Sequence, residues 1–117
     1  MSEQDRRESQ RINVHWKGRI ILPNHSIHNI TIVNVSLGGL GVHYSNAIAA
    51  GTLISIEFFI PHQRINQADR VRAKTRVTFN TILSENRGAI VGVTFMKFNG
   101  EEKNNLVEFI NNTSEEE

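Results

Sequence analysis

The chain contains no cysteine. Disulfide scaffolds, thiol nucleophiles and Cys-based zinc or iron–sulfur centres are therefore excluded. Aromatic residues make up only 7% of it, with one Trp and one Tyr, so its core has to be aliphatic. No apolar run approaches the roughly 18 residues that a membrane-spanning helix needs. No sign of charge dominates either, since 13 Lys and Arg against 12 Asp and Glu leave +1. So weak a net field does not make a polybasic binder of nucleic acid or membrane, and any anion site must come from local clustering. Behind Arg6-Arg7 no apolar stretch follows, so no secretory leader is read. The expectation is a cytoplasmic protein that does not insert into membranes.

What is present fits one domain: 117 residues, 38% of them apolar, with Ile and Val prominent. Residues 1–11 are polar and lack periodicity, which reads as a flexible arm. From Asn13 the sequence alternates, with Val14, Trp16, Gly18 and Ile20 on one side of a strand. Further strands are expected at Ile27 to Val35, at Leu40 to Tyr44 after the turn Ser36-Leu37-Gly38-Gly39, and at Leu53 to Ile60, ended by Pro61. A long fifth strand, Arg70 to Phe79, places Val71, Ala73, Thr75, Val77 and Phe79 inward and Arg70, Arg72, Lys74 and Arg76 outward. A sixth covers Ala89 to Phe95. Leu106, Phe109 and Ile110 then fall at helical spacing in Glu101 to Asn112, with acidic residues expected in the first turn. The fold class is all-β with a C-terminal helix: a six-stranded antiparallel β-barrel with the helix over one end or seam. Its parts are the arm (1–11), the barrel (12–98), and the helix with an acidic tail (99–117).

Two segments carry candidate chemistry. Arg6, Arg7 and Arg11 put three guanidiniums in the arm. The run Asn34-Val35-Ser36-Leu37-Gly38-Gly39-Leu40-Gly41 ends a strand in small polar residues and glycines. Arginine offers a planar fork that grips phosphate or the O6 and N7 of guanine, and its flat face stacks on a base. Asn can donate to and accept from a base edge, and glycine lets a planar ligand approach the backbone. Taken singly, an Arg-rich arm is commonly a solvated tail and Ser-x-Gly-Gly is turn chemistry. The glycines join two strands rather than opening a helix, so they are no dinucleotide fingerprint. Ser36 has no His or Lys at a diagnostic spacing, and His25 with His28 lacks a third ligand nearby, so neither catalysis nor a metal site is expected. The basic row on the fifth strand reads first as a solvated edge, otherwise as a patch for phosphates or an acidic partner.

Together, Arg7-x-x-x-Arg11 and Asn34-x-Ser36-x-x-Gly39 resemble the RxxxR and [D/N]xSxxG signature of the PilZ domain. The likeness runs from about Arg6 to Asn112 and takes in Gly92-Val93-Thr94-Phe95 and the closing helix. It implies a receptor for the bacterial second messenger cyclic di-GMP, with no enzymatic activity and no cofactor. Arg7 and Arg11 (with Arg6 a third cation) would hold the ligand, while Asn34, Ser36, Gly38 and Gly39 would line the base pocket. Asn34 departs from the commoner Asp, which offers guanine two acceptor oxygens instead of one. Phe79 stands where the family often has Trp and reads as a variation in the core. The implied partner is an unidentified protein of motility or polysaccharide secretion, not a nucleic-acid polymer. The rival reading is a degenerate adaptor that binds no nucleotide and works only through protein contacts. A third class, a barrel for single-stranded nucleic acid, lacks the aromatic platforms such proteins use.

Overall fold

A computed structural model describes residues 10–62 and 67–115. Six strands follow in order: β1 (Ile12–Ile21), β2 (Ile27–Val35), β3 (Gly39–Tyr44), β4 (Leu53–Pro61), β5 (Ala68–Ile82) and β6 (Ala89–Phe98). One helix, α1 (Lys103–Glu115), ends the chain's described part. Every neighbouring pair is antiparallel, and the strands close on themselves in the order β1-β2-β3-β6-β5-β4. Closure removes the unpaired edges that an open sheet of this size would expose.

The alternation in the sequence fills the interior. Ile54, Ile56, Phe58 and Ile60 of β4 are buried, facing Val71, Ala73, Thr75 and Val77 of β5. Thr75, the polar member of that row, donates its hydroxyl to the Ile54 carbonyl at 3.0 Å and so leaves no unmet group inside. The barrel end where β1 begins and β4 ends is capped by α1, whose Leu106 and Ile110 are buried. Trp16 joins the two layers. Its ring stacks on Phe58 at 5.9 Å and meets Phe109 of α1 edge-on at 4.8 Å.

Strand β4 ends at Pro61 as expected, with Pro61 its last residue opposite Ala68, where a missing N–H costs little. Two local expectations are corrected. The helix starts at Lys103, and its first turn holds no acidic residue. Glu101 and Glu102 lie in the preceding turn, with the Glu102 N–H donating to Asn99 at 3.1 Å. The Glu102 carboxylate is engaged elsewhere, accepting from the Arg72 guanidinium at 2.6 Å and from the Arg72 backbone N–H at 2.9 Å. Phe79, read as an inward residue, is 48% exposed. The ladder between β5 and β6 shifts between Val77 and Phe79, so Thr78 is an extra residue and Phe79 turns outward.

The Arg72–Glu102 contact ties the start of the helical segment to β5. Hydrogen bonding to Arg72 holds the Glu102 carboxyl below its ordinary range, against a smaller opposing effect of desolvation. A depressed folded-state value makes this stabilisation complete above the unfolded carboxylate pKa of about 4.3 and removes it as pH falls through the lower folded value. Glu102→Gln should therefore melt below wild type at neutral pH, and the gap should close on acidification below about pH 4. Thermal unfolding followed across that range checks this; a pH-independent gap contradicts it.

Candidate functional site

The segment that carries Asn34 begins as an ordinary strand and then breaks phase. Ile30 and Ile32 are buried, so strict alternation would send Asn34 inward as well. The β2–β3 ladder instead shifts between Ile32 and Asn34, with Val33 as the extra residue. That bulge sends Val35 into the core and Asn34 to the outer face. On that face Asn34 lies opposite Asn13 of β1 and Gly41 of β3. Its amide fills the place a side chain on Gly41 would need.

Directly after β2 the chain turns. The Ser36 N–H donates to the Gly39 carbonyl at 2.9 Å, and the Gly39 N–H donates to Ser36 Oγ at 3.2 Å. Ser36 is 3% exposed, and its hydroxyl is spent within this turn. Gly39 is buried beneath the Val93 carbonyl, which a Cβ would strike. Gly38 is exposed at the turn, and its carbonyl accepts from the Phe95 N–H at 3.0 Å. Ser36 and Gly39 therefore build the turn that fixes Asn34, while Gly38 and Asn34 face outward.

Arg11 meets Asn34 across β1 and β2: its Nη1 donates to Asn34 Oδ1 at 2.6 Å. The two segments singled out in the sequence, 23 residues apart, thus come together. Arg6 and Arg7, with the arm up to residue 9, lie outside the described residues, as does the end of the acidic tail.

The same outer row continues past Gly41, and this part was not read from the sequence. Gly41 pairs with Gly92 of β6, and Gly92 pairs with Phe79 of β5. The Phe79 ring covers Gly92 as the Asn34 amide covers Gly41. Both glycines are buried under these two side chains, so the row presents a polar amide with its guanidinium at one end and an exposed aromatic ring at the other. The signal was there in Gly41 and Gly92, each between inward-facing residues, but matching them across strands requires the register.

Elsewhere the candidates are structural. His28 Nε2 lies 2.9 Å from Ser26 Oγ, and its ring meets Tyr44 edge-on. Among the described residues no group of three His, Asp or Glu is placed to hold a metal ion. No helix among them is long and apolar enough to cross a membrane.

The glycines separate two effects. Gly39→Ala should lose stability by about 1–3 kcal/mol, because its methyl meets backbone that cannot swing away. Gly41→Ala should keep the fold, because the obstructing group is the Asn34 side chain, and should break the Arg11–Asn34 contact. Thermal melts test the first effect, and the Asn34 side-chain amide signals in NMR test the second. Equal melting losses would contradict this division.

Among known proteins, the family model described as PilZ domain matches residues 5–112. No curated protein matches the chain. Among solved structures, the Bacillus subtilis inhibitor of motility (MotI/DgrA) is similar, with a TM-score of 0.76 and 10% sequence identity. The match covers 92% of this chain and 50% of that one, so this chain spans half the length of that protein. At such identity the likeness is one of fold.

Proposed function

The chain belongs to the PilZ domain family, and on that premise we propose that it is a cyclic di-GMP receptor that signals through a protein partner and performs no catalysis. The observation that carries this reading is the 2.6 Å contact between Arg11 and Asn34, which brings one residue from each half of the family's signature together on the outer face. Arg11 donates to the one acceptor oxygen that Asn34 could offer a guanine N1–H. Binding is then an exchange. The guanine edge takes Asn34, and Arg11 turns to phosphate or to the base's O6 and N7, a charge-assisted contact stronger than the neutral amide it leaves. Ser36 and Gly39 act by holding Asn34 in place, and the exposed Phe79 ring offers the purine an apolar face.

Arg7 would join from the arm, which closes over the ligand and changes the surface a partner meets. The similar structure is named as an inhibitor of motility, and a component of motility machinery is the corresponding partner for this chain.

Calorimetry tests the receptor reading. Cyclic di-GMP should bind, whereas GTP and a single-stranded oligonucleotide should not compete. Arg7→Ala and Arg11→Ala should each cost about 2 kcal/mol or more of binding, with the fold intact. Asn34→Ala should weaken binding, and Asn34→Asp should hold or strengthen it. No binding by wild type, or unchanged binding by both arginine variants, leaves the adaptor reading in its place.

The arm supplies a separate test. Saturating ligand should reduce ps–ns backbone motion at residues 4–11 in ¹⁵N relaxation measurements. Unchanged relaxation alongside confirmed binding would remove the closure and leave a simple binding site.

A further inference from the structure

On the barrel wall opposite Asn34, β1, β4, β5 and β6 form an open trough of about 450 Å³. Its floor follows one cross-strand row: Ile21 opposite Ser55, Ser55 opposite Lys74, Lys74 opposite Lys97. The small Ser55 leaves the depression, and its two ends differ in character. At one end Ile21 and Ile27 pair with each other and are 39% and 58% exposed. At the other, Lys74 and Lys97 are both exposed. Among the described residues neither lysine has an acidic partner. The nearby carboxylates are taken, Glu57 by Arg19 at 2.7 Å and Glu102 by Arg72 at 2.6 Å.

Neither end helps the barrel. Like charges directly opposite on neighbouring strands destabilise the pair, and two exposed isoleucines add little to a core they do not enter. Both features make sense if something brings carboxylates to one end and an apolar side chain to the other. We propose that this trough docks an acidic segment of a partner protein, its carboxylates on Lys74 and Lys97 and one large apolar side chain against Ile21 and Ile27.

Charge complementarity selects this occupant. A membrane surface is held by clusters of roughly 4–8 cations on a face that can lie flat, whereas here two unpaired lysines sit on a concave wall beside paired Glu57 and Glu102. A nucleic-acid strand would need stacking rings along the groove, and Phe98, the one ring lining it, is half-buried. A carboxylate-bearing peptide needs only the two cations and the apolar end. The proposal does not depend on nucleotide binding.

The probe is a fluorescein-labelled octapeptide of glutamates flanking a central Leu-Phe pair, titrated into the full chain and followed by anisotropy and ¹⁵N NMR. Saturable binding is expected, with shifts at Ile21, Ser55, Lys74 and Lys97 and none at Asn34. Replacing Leu-Phe by Ser-Ser should weaken it. Lys74→Glu and Lys97→Glu should each weaken it about tenfold or more. Each of these variants also converts a like-charge pair into an opposite one, so its melting temperature should equal or exceed wild type, and lost docking with a retained melt cannot be ascribed to unfolding. Four results would overturn the proposal: no saturable binding, undiminished binding by both variants, shifts centred on Asn34, or tighter binding at this wall by phosphatidylserine vesicles or a single-stranded oligonucleotide.

Discussion

A closed barrel of six strands leaves each side chain only two choices, inside or outside, and the two-residue period of the strand makes that choice for every residue at once. The candidate site on this protein's surface comes from two places where an extra residue resets the phase. Val33 resets β2 and Thr78 resets β5. Without the first, Asn34 would follow Ile30 and Ile32 inward, and a buried amide would need partners that the aliphatic core cannot supply. Without the second, Phe79 would follow Val77 into the core. The two bulges turn both side chains to one outer face, where Gly41 and Gly92 separate them.

The two halves of the candidate site differ in firmness, and the difference suits a receptor. Ser36 and Gly39 are buried and joined by their own hydrogen bonds, so Asn34 stands on a fixed base. The Arg11 contact with Asn34 is exposed, and a hydrogen bond of that kind contributes on the order of 1 kcal/mol net. In the proposed reading it pre-positions the guanidinium and yields to a phosphate. Ordering an arm costs roughly 1–2 kcal/mol for each residue fixed, so the proposed closure would draw down the gross binding energy and leave moderate affinity.

The same phase logic separates what the sequence reveals from what it conceals. Strand β2 is legible to the residue, because Ile27 to Val35 is rich in β-branched residues and bounded by turn signals. Phe79 is misread because a bulge carries no periodic mark: Val71, Ala73, Thr75 and Val77 run in perfect alternation up to the residue before it. The helix start is missed by two residues because Glu102, a sound first-turn residue by local rules, is drawn to Arg72, thirty positions earlier. Arg11 and Asn34 stand out by residue chemistry, a guanidinium in a polar arm and an amide before a glycine turn, but only the resemblance to a family signature joins them, since neither shows a periodic pattern. The basic row of β5 was plain, but that Lys74 faces Lys97 while Ser55 opens the way to Ile21 is a fact of register, and register belongs to the folded chain.

Register also constrains how such a body could signal. A strand cannot slide by less than a full residue without losing its ladder, and sliding by one turns its core outward. With all six strands paired on both sides, the barrel offers no soft edge along which a ligand on β2 and β3 could deform the wall formed by β4 and β5. Coupling through the interior would require an element with two discrete arrangements, and the closed ladder is not one. In the proposed reading, therefore, the acidic partner is held on the β4–β5 wall whether or not nucleotide is present, and the nucleotide-dependent part of the interaction is left to the segment outside the ladder, the arm leading into Arg11. The Trp16–Phe109 contact extends that logic to the helix: α1 is fixed through Phe109 to β1, inside the closed ladder, and so shares the barrel's rigidity.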